Sequence, residues 1–345
     1  MNLEALQERI RQAAERSAPL RLRGGGSKDF YGNEPHGELL DTLAYAGIVS
    51  YEPTELVVTA RGGTALVELE QALKENGQCL PFEPPHFGPA ATLGGCVAAG
   101  LSGPRRASAG ALRDFVLGVK LVDGRGRALA FGGQVMKNVA GYDVARLVAG
   151  SLGTLGLIAE VSLKVLPSPS SEVTLALEMN EERALESMNA WAGEPLPISA
   201  TAWHDGRLCV RLSGAEPAVR AAASRIGGTR LEAARFWDDV REQRHVFFGG
   251  PGPLWRLALP SACPPLGAAG GTLIEWGGAL RWLRAGGARE LAAKAGGHAT
   301  LFRAPGKREN VFTALDSVAM ALHRRLKAAF DPAGILNPGR MYPEL

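Results

Sequence analysis

The chain has 345 residues, of which 46% are hydrophobic, and it carries a formal net charge of +3. This composition predicts a globular protein with a sizeable core, organised as one large domain or two ordinary ones. Its 38 basic and 35 acidic residues form no long basic run, which argues against nucleic-acid binding. No apolar stretch reaches the ~18 residues of a membrane span, and the charged N-terminal segment has no apolar signal core. We therefore expect a cytoplasmic protein.

The four cysteines lie far apart, at positions 79, 96, 209 and 263, and form no Cys-x-x-Cys pair. Zinc sites and iron–sulfur clusters draw on closely spaced thiolates. We therefore predict no metal site and no cluster built by this chain alone. The cysteines are interpreted as small core residues of a reducing compartment.

The first predicted elements form a small α/β unit. Apolar residues recur at helical spacing over residues 2–16, and Pro19 ends this helix. A short strand over Leu20–Arg23 leads into Gly24-Gly25-Gly26-Ser27. The remaining elements are strands over Leu39–Thr42, Gly47–Ser50 and Glu55–Ala60, a helix over Thr64–Asn76 with Thr64 as N-cap, and an extended segment at Cys79–Pro81.

A second unit with many tight turns follows. The small residues of Thr92–Gly100 predict a short, closely packed helix. Asp123-Gly124-Arg125-Gly126 lies between the apolar runs Phe115–Val122 and Arg127–Phe131, which is a strong hairpin signal. A helix over Asp143–Ala149 and a half-buried strand over Leu155–Leu166 complete the unit.

The Pro- and Ser-rich segment that starts at Pro167 is the best domain boundary. Beyond it, the pattern is that of a mixed antiparallel α+β domain. Helices are predicted over Glu181–Trp191, Glu216–Ile226, Leu231–Arg244 and Ser317–Phe330, and strands over Val173–Glu178, Ile198–Trp203, Arg207–Leu212, Trp255–Leu259, Thr272–Trp276 and Leu280–Arg284.

Three glycine-rich segments can bring bare backbone close to a polar ligand. The amides of Gly24–Gly26, with Ser27, can form an anion nest, although a plain flexible turn has the same sequence. Thr92–Gly95 opens a helix whose first amides favour anions, or else it permits close packing. Gly153–Ile158 either lies against an aromatic ring system of the ligand or forms only a tight turn that leads into the next strand. Their joint occurrence points to one large cofactor.

The glycine spacing argues against a Rossmann domain. Gly150, Gly153 and Gly156 are followed by a strand, whereas the dinucleotide fingerprint Gly-x-Gly-x-x-Gly follows a strand and opens a helix. A dinucleotide would therefore bind through another architecture.

The order of these motifs resembles the FAD-binding domain of the vanillyl-alcohol-oxidase/PCMH flavoproteins. The tail Phe330-Asp-Pro-Ala-Gly-Ile-Leu-Asn-Pro-Gly339 is similar to the C-terminal signature of their lactate/glycolate branch. The motifs of the FAD-binding domain are Arg23-Gly-Gly-Gly-Ser27, Glu83-Pro-Pro, Thr92-Leu-Gly-Gly, Ala111-Leu-Arg-Asp-Phe-Val-Leu-Gly118, Lys137-Asn-Val-Ala-Gly-Tyr-Asp143 and Gly150-Ser-Leu-Gly-Thr-Leu-Gly156. The resemblance covers essentially the whole chain, including Ile274-Glu-Trp-Gly-Gly-Ala-Leu-Arg-Trp282 and Gly296-Gly-His-Ala-Thr300.

The resemblance implies an α+β fold with FAD as cofactor. A PCMH-type FAD-binding domain of two α/β subdomains would span residues 1–167, and a smaller antiparallel α+β cap domain residues 168–304. A helix and tail over 305–345 would return to the FAD domain. The residues implied in FAD binding are Gly24, Gly25, Gly26, Ser27, Lys28, Pro84, Pro85, Thr92, Gly94, Gly95, Gly153, Thr154, Ile158 and Asn337. Because Ser27 stands where some relatives carry a flavin-linked histidine, the FAD should be non-covalent.

Oxidation of a 2-hydroxy acid needs a base, a cation for the carboxylate and a hydride acceptor. The candidate base is His298, with Arg281, Arg256 or Glu275 as its helper. A structural, hydrogen-bonded histidine is the alternative for His298, and His86 is a second candidate.

The resemblance further implies a subunit of a complex that oxidises glycolate or a related small 2-hydroxy acid. Its partners would be a homologous FAD-binding catalytic subunit and an iron–sulfur subunit, through which the complex could associate peripherally with the inner face of the cell membrane. The His-x-Gly-Asp-Gly-Asn pattern implied for the catalytic subunit is absent here. The alternatives are a stand-alone FAD-dependent oxidoreductase of the same fold and a scaffold subunit that has lost turnover.

Overall fold

A computed structural model of the chain describes residues 2–133, 143–232, 235–268, 270–306 and 310–345. The Lys137–Tyr142 part of the family motif lies outside these residues. No helix within these ranges is both long enough and apolar enough to cross a lipid bilayer.

The first half of the chain builds a five-stranded sheet and two small strand pairs. The sheet order is β3-β4-β8-β6-β7, with antiparallel neighbours throughout, whereas β1 and β2 pair in parallel. The elements are α1 (Leu3–Glu15), β1 (Leu20–Arg23), β2 (Glu38–Asp41), β3 (Ile48–Glu52), β4 (Val57–Arg61), α2 (Leu66–Glu75), β5 (Gln78–Cys79), α3 (Leu93–Ala99), α4 (Arg106–Ala109), β6 (Val116–Val122), β7 (Ala128–Gly132), α5 (Val144–Leu147), β8 (Leu157–Lys164) and β9 (Leu166–Pro167).

Helix α2 packs on this sheet through leucines that share one face. Leu66, Leu69 and Leu73 are fully buried and join the core that includes Val161 and Leu163 of β8. The predicted N-cap of this helix is wrong, because the helix begins one residue later, after Ala65. The Thr64 hydroxyl instead bonds the Gly47 amide at 2.9 Å, which ties the helix entry to the loop before β3.

The second half forms an eight-stranded sheet with antiparallel neighbours, in the order β13-β10-β12-β11-β15-β16-β14-β17. Its elements are β10 (Ser171–Glu178), α6 (Glu181–Ala192), β11 (Ile198–His204), β12 (Arg207–Gly214), α7 (Glu216–Ile226), β13 (Thr229–Leu231), α8 (Phe236–Arg241), β14 (Leu254–Ala258), β15 (Thr272–Glu275), β16 (Leu280–Leu283), α9 (Ala288–Lys294) and β17 (His298–Arg303), followed by α10 (Ser317–Phe330).

The two faces of this sheet have different neighbours. Helices α6, α7 and α9 cover one face through two apolar clusters. The opposite face packs on the first half of the chain, where Trp282 and Phe302 share a cluster with Tyr31 and Leu101. Arg256 lies on this second face, with Trp282 and Thr300 as its cross-strand partners.

Buried polar contacts join the two halves. The Glu242 carboxylate, just after α8, accepts the amides of His86 at 3.0 Å and Phe87 at 2.7 Å. The guanidinium of Arg211 lies 2.8 Å from the Glu83 carboxylate. Although burial opposes ionisation, these bonds hold the pKa values of Glu83 and Glu242 below their ordinary range. The halves are thus joined by charged as well as apolar contacts.

After α10 the tail returns to the first strand, as predicted. The Leu20 amide donates to Ile335 at 2.7 Å, and the Asn337 amide donates to Leu20 at 2.9 Å. Leu20 and Leu336 form a parallel bridge. This return extends the β1–β2 pair by one more chain segment.

Most predicted elements are confirmed, but one predicted helix is shorter and several elements were not predicted. The predicted helix over Leu231–Arg244 is shorter, because β13 ends at Leu231 and α8 covers only Phe236–Arg241. Helix α9 and strand β17 were not predicted, since residues 288–303 show neither a clear helical period nor an alternating pattern. The predicted boundary after residue 167 falls between β9 and β10, and the one after residue 304 follows β17; as domain limits both remain predictions.

Candidate functional site

A cleft with about 760 Å³ of empty space lies between the loop after β1, helix α3, the loop before β8 and the returning tail. Four chain segments that are distant in sequence meet here. The lining residues are Leu22, Arg23, Gly24, Gly25, Gly26, Ser27, Lys28, Asp29, Thr42, Thr92, Gly94, Gly95, Ala98, Ala99, Leu152, Gly153, Gly156, Leu157, Ile158, Asn337 and Arg340.

The loop after β1 offers bare backbone to this cleft. Within the described part of the chain, the amides of residues 24–28 donate to no protein acceptor. A Cβ on Gly25 would lie 1.5 Å from the Ala90 carbonyl oxygen, so only glycine fits there, and Gly26 has a φ of +70°. Consecutive free amides of this kind form a nest for an anion. Of the two interpretations offered for this loop, the geometry favours the nest.

The start of α3 differs from the loop after β1, because the first amides of this helix already donate to protein acceptors. The Leu93 amide donates to Thr64 at 2.9 Å and the Gly94 amide to Gly62 at 2.8 Å. The Gly95 amide donates to the Thr92 hydroxyl at 3.3 Å. These groups line the cleft without free donors, so the geometry favours close packing over an anion site at this helix end.

Asn337 closes one wall of the cleft. Its side-chain oxygen accepts the Leu22 amide and its side-chain nitrogen donates to the Leu152 carbonyl, both at 2.7 Å. A Cβ on Gly153 would lie 2.7 Å from the Asn337 side-chain nitrogen. The amide of Asn337 therefore joins strand β1, the loop before β8 and the tail, and its polar atoms are already used.

Three predicted cofactor residues lie outside the cleft lining. The Thr154 hydroxyl donates to Ser151 at 2.8 Å and is buried. Pro84 is buried. Pro85 lines a different cavity, which lies between loops of the first half of the chain and the eight-stranded sheet. Their predicted contact with the cofactor has no support in this geometry.

Sequence reasoning missed several charged residues of the cleft. Asp29 accepts from Arg21 at 2.6 Å and from Arg23 at 2.8 Å. The Arg340 guanidinium donates to the Asp29 carbonyl at 2.8 Å, and burial lowers the pKa of Arg340 to about 10. Arg340 follows the tail signature directly, and that proximity is the only signal that could have marked it.

Lys28 brings a positive charge to the same loop. Its ammonium lies 3.3 Å from the His86 carbonyl oxygen and 5.8 Å from the centre of the Phe87 ring. Burial lowers the pKa of Lys28, because the charged form is desolvated there. An anion in the nest would be a natural counter-charge for this ammonium.

The two catalytic candidates lie on opposite faces of the eight-stranded sheet. Arg281 is fully buried on the helix-covered face, where its guanidinium donates to the carbonyls of Cys263, Pro264 and Gly278. His298 begins the edge strand β17 on the face shared with Arg256. Burial and that arginine lower the pKa of His298. The structure does not bring Arg281 and His298 together.

A second, smaller cavity lies between this face and the loops of the first half. It has about 330 Å³ of empty space and is lined by Arg256 and Glu275, among others. The Glu275 carboxylate accepts the Trp282 indole N–H at 2.8 Å, and burial raises the pKa of Glu275 to about 7. Among the described residues, no three His, Cys, Asp or Glu side chains are placed to hold a metal ion.

The cleft fits an elongated nucleotide cofactor with an anionic centre. Its nest of free amides and its Cβ-excluding glycines would suit a pyrophosphate, and its apolar lining around Leu152 and Ile158 would suit flat ring surfaces. Together with the sheet arrangement, this agrees with the PCMH-type FAD-binding fold that the sequence motifs resemble.

Comparison with known proteins agrees with this interpretation of the fold and the cleft. Residues 1–132 match the family described as FAD binding domain, and residues 304–341 match FAD linked oxidases, C-terminal domain. Glycolate oxidase subunit GlcE of Escherichia coli K12 is 47% identical over 99% of this chain and 98% of its own length. The chain belongs to this family of FAD-linked oxidases, and its cofactor is FAD, which confirms the resemblance seen in the motifs.

More distant relatives share part of the chain. D-lactate dehydrogenase of Archaeoglobus fulgidus is 31% identical over 57% of this chain and 45% of its own length. The solved structure of alkyldihydroxyacetonephosphate synthase superposes with a TM-score of 0.66 at 16% identity, over 96% of this chain and 74% of the synthase chain. That likeness confirms the predicted fold class.

Proposed function

We propose that the chain is the FAD-binding subunit of a glycolate oxidase complex, which oxidises glycolate or a related 2-hydroxy acid to the 2-oxo acid. The nest of free amides at residues 24–28, opening on the cleft, is the observation that carries this proposal. The end-to-end identity with a glycolate oxidase subunit supports the substrate class.

Different residues of this chain would contact different parts of FAD. The amides of Gly24–Lys28 would receive the pyrophosphate, and the Lys28 ammonium would balance part of its charge. Gly94, Gly95, Gly153 and Ile158 would give the cofactor close backbone contact along the cleft walls. When bound, FAD accepts the two electrons that leave the hydroxy acid as hydride.

The FAD is proposed to be non-covalent. The position after the glycine run is Ser27, whose hydroxyl lies 3.5 Å from the Lys28 ammonium and has no nucleophilic ring nitrogen to offer a flavin. Retention of the cofactor would then depend on the nest and on the wall held by Asn337.

The geometry favours His298 over Arg281 for any part in turnover. Arg281 is committed to backbone carbonyls on the helix-covered face, whereas His298, Arg256 and Glu275 share the face toward the FAD-binding half. The Nε2 atom of His86 lies 3.1 Å from the Glu70 carboxylate, and this pairing favours a structural role for His86.

We also propose partners. A homologous FAD-binding catalytic subunit and an iron–sulfur subunit would assemble with this chain in the cytoplasm, at the inner face of the membrane through the partners. The homology to a protein named as a subunit supports assembly. Electrons would pass from the flavin to the iron–sulfur partner.

The flavin content of the purified full chain tests the proposal. We expect wild-type protein from riboflavin-replete cells to carry flavin that acid precipitation releases. Gly25→Ala should lose it, because the new Cβ would meet the Ala90 carbonyl. Gly286→Ala is the matched control, since a Cβ there meets open space. Thermal unfolding checks that both variants fold.

Colourless wild-type protein, or a folded Gly25→Ala that keeps its flavin, would contradict the proposal. Glycolate oxidation with a dye acceptor, measured for the chain alone and with its partner subunits, separates the complex from a stand-alone oxidoreductase. Full activity of the chain alone would favour the stand-alone enzyme.

A further inference from the structure

Helix α10 differs from helices α1, α2 and α6 in what it buries. Each of those three helices buries three apolar side chains against a core. In α10, nine of the 14 residues are apolar, yet its one buried side chain is that of Lys327. A helix of this length draws most of its stability from a packed apolar face. The apolar residues of α10 therefore lack the kind of neighbour that such residues have elsewhere in the fold.

The side of α10 that faces away from the protein is mostly apolar. Lys327 points inward, where its ammonium donates to the Thr154 carbonyl at 2.9 Å. Because an α-helix has 3.6 residues per turn, the opposite side carries a set of six exposed residues, which we call the outer face. These residues are Val318, Ala321, Leu322, Arg325, Ala328 and Ala329. Val318 is 70% exposed and Leu322, one turn later, is 53% exposed, and adjacent large apolar side chains of this exposure mark an interaction surface.

Positive charge lies within and beside the outer face. Arg325 is at its middle and Arg324 at its border, and among the described residues neither guanidinium has a carboxylate within 4.0 Å. At the C-terminal end of the helix, the Arg125 guanidinium donates to the Ala329 carbonyl at 3.0 Å. Helix α10 itself contains no acidic residue. A molecule that covers this face must therefore supply anionic groups, because a guanidinium that is buried without a partner is costly.

The composition of the outer face favours a protein partner of different sequence. A two-fold contact with a second copy would bring the same arginines together, and the face offers no carboxylate to pair with them. Helices that lie in a membrane interface present large apolar or aromatic side chains. Three of the five apolar residues here are alanines, which instead allow another helix to approach closely.

We propose that the outer face of α10 docks another subunit of the complex, through a surface of that subunit that presents apolar side chains flanked by carboxylates. Val318 and Leu322 would lie at the apolar centre of the contact, and Arg325 would pair with a carboxylate. The inference rests on the proposed function for the existence of partner subunits. It places their contact on the helix whose Lys327 holds the loop before β8, at the wall of the FAD cleft.

Assembly of the full flavin-loaded chain with the homologous FAD-binding subunit and the iron–sulfur subunit tests this surface. Light scattering after size exclusion detects the complex, and titration of the fluorescently labelled chain gives its Kd. We expect Leu322→Glu to raise the Kd roughly ten-fold or more, because a charge enters the apolar centre of the contact. Val67→Glu is the matched control and should assemble like the wild type, since Val67 is 57% exposed on a different helix, α2.

The dependence of assembly on salt gives an independent readout of the charge pairing. Raising NaCl from about 0.05 to about 0.5 M should weaken the wild-type complex, because salt screens the attraction between arginine and carboxylate. Arg325→Gln should weaken assembly at low salt and reduce its salt dependence. Arg230→Gln, at an exposed position of β13, is the control and should keep the wild-type dependence. Equal salt dependence in Arg325→Gln and the wild type would overturn the pairing.

Thermal unfolding and flavin content of each isolated variant show that the chain still folds, and Val318→Glu repeats the test at a second position of the outer face. A complex that forms equally well with Leu322→Glu and with Val67→Glu refutes the docking surface alone. The surface is also refuted if Leu322→Glu abolishes only self-association of the chain, or only its binding to phosphatidylserine vesicles. A wild-type chain that assembles with neither subunit overturns the proposed function, and this surface with it.

Discussion

The ammonium of Lys327 lies 2.8 Å from the carboxylate of Asp331, one helical turn further along the chain, and both groups are buried. The same ammonium donates to the carbonyls of Thr154 and Leu336, at 2.9 and 2.6 Å. One buried cation thus links helix α10, the loop before β8 and the tail that completes the cofactor cleft.

Replacing Lys327 by Met should destabilise the protein by about 3 kcal/mol, because the Asp331 carboxylate and two carbonyls lose their donor in a buried place. Flavin affinity should fall as well, since the loop and the tail both line the cleft. Urea unfolding and flavin titration measure the two effects. Lys294→Met, at an exposed position of α9, is the control, and a Lys327→Met protein as stable as that control would contradict the prediction.

Asn337→Asp tests the wall between β1, the loop before β8 and the tail. The aspartate keeps an acceptor for the Leu22 amide but places an oxygen against the Leu152 carbonyl. We expect a loss of about 1–3 kcal/mol in the free energy of unfolding, together with weaker flavin binding. Unfolding curves with and without added FAD give both values. The prediction fails if Asn337→Asp matches the wild type in both.

The pKa of Glu275 predicts a dependence of stability on pH. Burial raises this pKa from 4.5 to about 7, so the folded protein holds a proton that the unfolded chain releases above pH 4.5. The contribution of Glu275 to stability is therefore complete below pH 4.5 and lost as the pH rises through 7, by about 3 kcal/mol in total.

Glu275→Gln should remove this dependence and make the protein more stable than the wild type at pH 8. Urea unfolding at pH 5, 6, 7 and 8 measures the slope for both proteins. Parallel slopes would show that Glu275 has an ordinary pKa in the folded state.

Arg211 and Glu83 make a sharp test of the contact between the two halves. Arg211→Met leaves the Glu83 carboxylate with Arg105 as its one remaining charged partner among the described residues, and we expect a loss of about 3 kcal/mol in unfolding free energy. Adding Glu83→Gln should recover part of that loss, because the buried charge is then gone. Calorimetric unfolding of the wild type, both single variants and the double variant gives the coupling energy from a double-mutant cycle. No recovery in the double variant would argue against the pairing.

Much of the cleft could be predicted from sequence because its chemistry is local. Gly24–Lys28 follows a strand, and a run of glycines there made a nest of amides one of two possibilities before the fold was known. The role of Asn337 was only partly predicted. Its position near the cofactor was implied, but its bonds to Leu22 and Leu152 depend on a tail that returns over more than 300 residues.

The catalytic candidates show where sequence reasoning stops. Strand alternation separates Arg281 from its neighbours in β16, but which face meets the FAD-binding half depends on the sheet order β15-β16-β14-β17. Strand β17, which carries His298, was itself not predicted. Arg256 and Glu275 come from strands β14 and β15, which follow each other in the sequence but are separated in the sheet by β16, so their shared cavity was not predictable.

The closing of the cleft by the tail has a consequence for biosynthesis. Leu20 and Leu22 leave the ribosome some three hundred residues before their partners Ile335 and Asn337. A nascent chain cannot complete the wall around its nucleotide before those partners appear. We therefore expect tight retention of the cofactor only after the tail has been synthesised.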